Sequence, residues 1–170
     1  MKPTYIIWHC SASRFGCAAT IRQWHLKRGW ADVGYHLICL NGVLTPADAK
    51  HARRVPFLDG SLEVGRVWDG DGELTGAEVG AHAYGFNRDA FGLCLIGTKT
   101  FSRAQIDSAL RATKALQLQY GVLTENVIGH YEIGRRRIEY ATTKTCPNLD
   151  MSAIRYCLEA EAELDALCIA

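Results

Sequence analysis

Neither a long apolar segment nor a strong charge bias is present in this sequence of 170 residues. No apolar run approaches the roughly 20 residues that a membrane-spanning helix needs, so we expect no membrane insertion. The formal net charge is only +1, which gives no general attraction to nucleic acid or to anionic membranes. Residues 1–10 carry one charged side chain and too short an apolar stretch for a secretory signal peptide. We therefore expect a product that collects in the cytoplasm unless a separate device exports it.

Internal repeats, low-complexity segments and linker-like stretches are also missing. Apolar residues make up 48% of the chain and charged residues 22%, the balance of an ordinary globular protein. A chain of this length can bury enough apolar surface to fold as a single domain. The seven cysteines are an odd number, and without a signal peptide we expect reduced thiols. Cys39 and Cys94 lie in apolar, strand-like runs and are predicted to be core residues.

Hydrophobic patterns predict strands that alternate with helices. The predicted strands cover residues 5–8, 34–40, 61–66, 91–96 and, as a short edge segment, 127–129. Helices are predicted over 21–28, capped by Thr20, after the cap residue Ser102, and over 152–167. Residues 41–58 are predicted to form a long surface loop with a short helix near 47–52. The predicted fold class is α/β, a single domain with a central mixed β-sheet flanked by helices.

The stretch 142–150, Thr-Thr-Lys-Thr-Cys-Pro-Asn-Leu-Asp, contains the one cysteine whose setting suggests chemistry. Pro147 fixes its own φ and removes an amide donor, which predicts that Cys146 lies in a rigid turn. Lys144 precedes the cysteine by two positions, and a nearby positive charge favours the thiolate. The alternative is a purely structural cysteine in a turn.

Two histidines stand at the ends of predicted strands, His9 after 5–8 and His130 after 127–129. Strand ends at one edge of an α/β sheet are where such domains collect ligands. Two imidazoles, a thiolate and an open fourth position would form a catalytic zinc site. Positions 9, 130 and 146 are too far apart for a local metal motif, however. Half-buried histidines with satisfied hydrogen bonds remain the other interpretation.

Seven blocks of the sequence, taken in order, resemble the type 2 N-acetylmuramoyl-L-alanine amidases. They lie at residues 8–13, 21–25, 30–36, 80–87, 91–97, 129–132 and 144–147. The resemblance extends from about residue 5 to 155, which is nearly the whole chain. It is similar above all to the small single-domain amidases of bacteriophages, and peptidoglycan recognition proteins share the implied fold.

The resemblance implies that zinc is held by His9, His130 and Cys146, with Tyr35 and Lys144 as the catalytic side chains. The implied substrate is the amide between the lactyl group of N-acetylmuramic acid and L-alanine of the peptidoglycan stem peptide. Zinc in such a ligand set lowers the pKa of a bound water toward ~7. The Lys144 ammonium could stabilise the oxyanion. A phenol with an ordinary pKa near 10 is a poor base, so we expect the Tyr35 hydroxyl to hydrogen-bond instead.

The resemblance also implies that His82 and Asn87 line the substrate groove, although both could simply cap loop backbone groups. His36 is expected on the opposite sheet face from Tyr35, in a structural role. Glu132 could orient a ligating imidazole or be solvated. The arginines at 135–137 could bind stem-peptide carboxylates or only keep the surface soluble.

The function predicted from these features is cleavage of peptidoglycan, most simply by a monomeric phage or prophage endolysin that reaches the wall through a separate pore. A non-catalytic peptidoglycan-binding protein is the main alternative. Such relatives usually lack the third ligand, whereas this chain has Cys146. A secreted antibacterial effector would share the chemistry. Regulation of a polymerase, known for one related type, has no support in these residues. The segment 41–58 looks longer than the corresponding turn of compact phage enzymes, so the resemblance implies no role for it.

Overall fold

The computed structural model describes residues 1–169, with side chains described for residues 1–160. Its strands are β1 (Tyr5–Cys10), β2 (Leu37–Asn41), β3 (Asp59–Val64), β4 (Ala90–Leu95) and β5 (Val127–Gly129). Its α-helices are α1 (Ala18–Leu26), α2 (Pro46–Lys50), α3 (Arg103–Tyr120), α4 (Ile133–Arg136) and α5 (Met151–Ile169). Among the helices that the structure describes, none combines the length and the apolar character needed to cross a bilayer.

The five strands form one mixed sheet in the order β3-β2-β4-β1-β5. Strands β2, β4, β1 and β5 run parallel to their neighbours, and β3 pairs with β2 in the antiparallel sense. Every residue of β4 is buried, as expected for a central strand covered on both faces. The α/β prediction is therefore confirmed. Because the parallel strands share a direction, their carboxyl ends meet at one edge of the sheet.

Strict alternation along β1 divides its side chains between the two faces of the sheet. Ile6 and Trp8 belong to the larger core cluster, which also contains residues of α3 and α5. The Trp8 indole N–H donates to Thr113 Oγ1 of α3 at 3.0 Å, so the buried polar atom is satisfied. Ile7 packs in a different cluster with Phe86. His9 therefore falls on the Ile7 face.

The N-terminal ends of α3 and α1 show which helix caps can be predicted from the local sequence and which cannot. Ser102 caps α3 as predicted, accepting a hydrogen bond from the Gln105 N–H in a reciprocal capping box. The prediction for α1 was wrong, because the helix begins at Ala18 and Thr20 lies inside it. The Glu63 carboxylate of β3 accepts the Ala18 N–H at 2.6 Å and so caps α1 from a distant strand. No local pattern could reveal that partner.

The segment 41–58 folds back on itself at the surface. It contains α2, whose Thr45 and Asp48 form a capping box, and a 3₁₀ turn at Pro56–Leu58. The Val55 N–H donates to the Gly42 carbonyl at 2.8 Å, which closes the base of the excursion. The segment is therefore an ordered loop with its own short helix.

Two buried histidines accept backbone hydrogen bonds through Nδ1. His25 accepts the Gly34 N–H and His36 accepts the Gly92 N–H, each at 2.9 Å. Their burial lowers the pKa of both His25 and His36 to about 4. An unfolded histidine has a pKa near 6.5. Each neutral ring therefore contributes stability above pH ~6.5 that is lost as the pH falls toward 4, since the unfolded chain takes up the protons first.

We predict that His25→Asn reduces this acid sensitivity, because the asparagine carbonyl can accept the Gly34 N–H without titrating. Between pH 7 and pH 4, the variant should lose roughly 2–3 kcal/mol less unfolding free energy than the wild type. Urea denaturation at a series of pH values measures this difference. Equal losses for the two proteins would contradict the assignment of a neutral, buried His25.

Candidate metal centre

Three side chains from distant parts of the chain meet at the carboxyl edge of the sheet. One ligand atom each from His9, His130 and Cys146 lies within 4.8 Å of the other two. His9 is the second-last residue of β1, and His130 directly follows β5. Because Trp8 is in register with Gly129 across the parallel pair, the next residues along each strand become neighbours. The two ring centroids are 4.7 Å apart.

The turn at Cys146 and Pro147 brings the sulfur to this edge. The Cys146 carbonyl accepts the Tyr131 N–H at 3.0 Å, which ties the turn to the residue after His130. Asn148 donates from Nδ2 to the Thr98 carbonyl at 2.7 Å, which anchors the other side of the turn to the loop after β4. The Cys10 backbone N–H donates to Cys146 Sγ at 3.1 Å. An N–H directed at the sulfur favours negative charge there.

The thiols of Cys10 and Cys146 are in contact, with Cys10 Sγ donating to Cys146 Sγ at 3.8 Å. Their mutual hydrogen bond lowers the pKa of Cys10 to about 6 and raises the pKa of Cys146. A cation held by His9 and His130 would favour the charge on Cys146, because a coordinating thiol is deprotonated outright.

Both histidines of the cluster are held neutral. Burial is the main reason that the pKa of His9 is well below its usual value, and repulsion between a charge on His9 and those that His82, His130 or Lys144 can carry lowers it further. Burial and the charge of Lys144 lower the pKa of His130 to about 4. Neutral imidazole is the form that binds metal ions. The charge of Lys144 contributes to both shifts.

The residues fit a zinc ion. Two imidazoles and one thiolate form a common donor set for catalytic zinc, which keeps one position open. His9 Nδ1 lies 3.9 Å from Cys146 Sγ. Nitrogen and sulfur ligands of one tetrahedral zinc are roughly 3.5 Å apart, given Zn–N and Zn–S bonds near 2.0 and 2.3 Å. The spacing therefore needs only a small adjustment to hold the ion.

Tyr35 and Lys144, the two predicted catalytic residues, differ in their exposure to solvent: Tyr35 is half-buried and Lys144 is exposed. Tyr35 lies in the loop before β2, with its ring centroid 5.1 Å from that of His9. Burial raises the pKa of Tyr35 well above its usual value, so the hydroxyl stays protonated at neutral pH. Lys144 is exposed and lines two surface cavities of about 550 and 650 Å³. The protonated phenol and the accessible ammonium are both suited to donate hydrogen bonds.

The two cavities have Thr142 and Lys144 in common, and the first is also lined by His130 of the cluster. The first is lined by residues that include Trp30, His82, Tyr84, Asn87, His130 and Tyr140. The second is lined by Lys99, Tyr131, Thr142, Lys144, Thr145, Asn148 and Leu149. A long ligand could therefore extend to both sides of Lys144.

The loop before β4 carries the other two predicted site residues, His82 and Asn87. Asn87 Oδ1 accepts the backbone N–H groups of His82 and Ala83, each at 2.8 Å. His82 Nδ1 lies 3.1 Å from His9 Nε2, and His82 Nε2 lies 3.2 Å from the Ala90 carbonyl oxygen. Both residues border the first cavity, but these polar atoms are engaged inside the protein. Sequence reasoning missed the contact between His82 and His9.

The structure gives Glu132 a different role from both sequence interpretations. Its side chain is buried, and its carboxylate accepts the Gly129 N–H at 3.0 Å. Arg155 of α5 donates to both carboxylate oxygens, at 3.0 and 3.1 Å. Glu132 therefore fixes the backbone that precedes His130 instead of its imidazole, and the interpretation as a solvated residue was wrong.

Arginine side chains that follow His130 also have partners within the protein. The Arg137 guanidinium pairs with Asp89 and stacks 4.2 Å from the Phe86 ring centroid. It also donates to the Gly85 carbonyl. A Cβ added at Gly85 would lie 2.2 Å from the Tyr140 ring, so the glycine permits close contact there. The Arg137 carbonyl accepts the Tyr140 N–H at 3.0 Å, and Tyr140 lines the first cavity.

The sequence profile of the N-acetylmuramoyl-L-alanine amidase family (Amidase_2) matches residues 1–149. The chain belongs to this family. It is an N-acetylmuramoyl-L-alanine amidase, and the cluster at the sheet edge lies within the matched region.

Curated relatives of this amidase include phage endolysins. The Escherichia phage T7 endolysin is 30% identical over 159 residues, which cover 86% of this chain and 81% of the relative. The endolysin of Klebsiella phage KP32 is 29% identical over 161 residues, covering 88% and 83% respectively.

Solved structures share the fold at lower identity. N-acetylmuramoyl-L-alanine amidase LysC from Clostridium intestinale URNW superposes with a TM-score of 0.67 at 21% identity, covering 94% of this chain and 87% of that one. Drosophila PGRP-LB superposes with a TM-score of 0.60 at 22% identity, covering 86% and 76%. The amidase therefore has the fold found in both proteins.

Proposed function

We propose that the chain is a zinc-dependent amidase that cleaves the bond between N-acetylmuramic acid and L-alanine, acting as a phage or prophage endolysin. The observation that carries this proposal is the cluster of His9, His130 and Cys146 beside the cavity lined by Lys144. Similarity to phage endolysins supports the biological role. As an endolysin, the protein would be made in the cytoplasm and reach the wall through a separate pore.

In this proposal zinc is held by His9 through Nδ1, by His130 and by Cys146. When bound, zinc would act as a Lewis acid on the amide carbonyl and would lower the pKa of the attacking water. The buried imidazoles stay neutral and provide lone pairs. The Cys10 N–H directed at Cys146 Sγ helps that sulfur carry negative charge.

Lys144 and Tyr35 supply hydrogen bonds to the reacting atoms. The Lys144 ammonium, which is exposed to both cavities, donates to the oxygen that becomes negative as water adds to the carbonyl. Donors to a developing oxyanion contribute typically about 3–4 kcal/mol of transition-state stabilisation. The Tyr35 hydroxyl stays protonated, because desolvation raises its pKa well above the usual value, which supports hydrogen bonding to water or the oxyanion rather than proton abstraction.

The scissile amide would lie at Lys144, with substrate in both flanking cavities. Trp30 and Tyr140 provide aromatic surface in the first cavity. Asn87 uses its carbonyl oxygen for two backbone N–H groups, so its amide nitrogen is the part suited to contact substrate.

Digestion of purified peptidoglycan with and without a chelator tests the proposed function. We expect new L-alanine amino termini without new reducing sugar ends, loss of activity with the chelator, and recovery on addition of zinc. New reducing ends would show that the glycan strand is cleaved instead. If L-alanine amino termini were still released after prolonged chelation, by protein that contains no zinc, the metal assignment would be contradicted.

A further inference from the structure

A chain of two histidines connects the candidate metal centre to the backbone of β4. His9 and His82 are both buried, with 1% and 8% of their residue surface exposed. Their ring centroids are 5.1 Å apart in an edge-to-face arrangement. His9 Nε2 faces His82 Nδ1 at 3.1 Å, and His82 Nε2 faces the Ala90 carbonyl at 3.2 Å. His82 therefore uses both ring nitrogens inside the protein.

The Ala90 carbonyl determines where the protons of both rings lie. A carbonyl oxygen can only accept, so His82 Nε2 must carry a hydrogen. In the neutral ring, His82 Nδ1 is then an acceptor, and His9 Nε2 must be the donor to it. His9 consequently presents an unprotonated Nδ1, the nitrogen that lies 3.9 Å from Cys146 Sγ.

We infer that His82 is a positioning residue that fixes the tautomer and ring orientation of His9 for metal binding, and not a direct substrate contact. The inference rests on the proposed zinc function and deepens it. A substrate group would have to displace one of the two internal hydrogen bonds to reach a ring nitrogen. Partners that orient a ligating histidine typically change metal affinity by about 10–100-fold when removed.

The surroundings of His82 hold its ring in this orientation. A Cβ added at Gly92 would lie 2.6 Å from Cγ and Cδ2 of the ring, and a Cβ at Gly80 would lie 2.6 Å from Cδ2. Only glycine at these positions leaves room for the imidazole. Asn87 fixes the backbone of the same residue by accepting its N–H. Glycine in the otherwise apolar β4 is thus explained by the ring that it admits.

Zinc affinity of two variants tests the inference. His82→Leu fills the space but removes the acceptor, so its zinc Kd should rise about 10–100-fold in competition with a chromophoric chelator. His82→Asn places a carbonyl oxygen near the position of Nδ1 and should restore most of the affinity. His25→Leu is the matched control, because it removes another buried imidazole outside the cluster and should leave the zinc Kd unchanged. Cobalt-substituted protein should show an altered visible spectrum only for His82→Leu.

The tautomers are measured directly by nitrogen-15 NMR of the histidine rings in the zinc-loaded wild type. We expect protons on Nε2 of both His9 and His82. A proton on His82 Nδ1, or wild-type zinc affinity and cobalt spectrum for His82→Leu, would overturn the inference. A wild-type protein that binds no zinc would instead refute the proposed metal-dependent function. Folding of each variant is checked by circular dichroism, and His82→Asn remains informative if His82→Leu does not fold.

Discussion

Replacement of Cys146 by serine is expected to lower amidase activity by roughly 1000-fold or more, the equivalent of about 4 kcal/mol in transition-state stabilisation. A serine hydroxyl does not ionise near neutral pH and is not among the usual zinc ligands. The variant should therefore lose its zinc as well as its activity. Metal analysis of the purified variant and release of L-alanine amino termini from peptidoglycan measure the two effects.

Cys10→Ser is the matched control for this experiment. The Cys10 sulfur lies 3.8 Å from the Cys146 sulfur. The Cys10 backbone N–H also donates to Cys146 Sγ, and a serine at position 10 keeps this N–H. We expect Cys10→Ser to keep its zinc. If Cys146→Ser instead kept both zinc and activity, the third ligand would have to be another residue. Equal zinc loss in both variants would indicate that the turn, and not the sulfur of Cys146, had been disturbed.

The sequence contained enough information to predict the sheet and the residues at its edge. Alternation and apolar runs predicted the five strands, although β2 begins at Leu37, so Tyr35 lies in the preceding loop. The resemblance to amidases directed attention to positions 9, 130 and 146, and the structure brings these three together. Spacing alone could not do so, because the proximity depends on the parallel pairing of β1 with β5.

Contacts between distant segments are what the sequence did not reveal. Glu63 caps a helix that begins 45 residues earlier in the chain. The charge of Glu132 is neutralised by Arg155 of the last helix, which explains the burial of Glu132 near His130. His82 matched a substrate-groove motif, but its neighbour His9 is 73 residues away. In each case a polar side chain finds its partner only after the sheet has assembled.

Lys144→Met should lower kcat by about 100- to 1000-fold while the zinc content stays at the wild-type level. Methionine preserves much of the length and apolar volume of lysine but cannot donate a hydrogen bond. The oxyanion forms only in the transition state, so its donor should affect kcat far more than KM. Steady-state kinetics on a soluble muropeptide separate these parameters.

Two further variants distinguish an oxyanion donor from a general charge effect. Lys99→Met removes another lysine from the second cavity and should leave kcat within about threefold of the wild type, because solvent and salt screen the charge of this exposed side chain. Tyr35→Phe should lower kcat with its zinc retained, since the protonated hydroxyl is proposed to hydrogen-bond and not to bind metal. If Lys144→Met raised KM with kcat unchanged, the ammonium would instead contribute to ground-state binding. Lys144 lines both cavities, so its ammonium can reach a scissile amide in a ligand that spans the two.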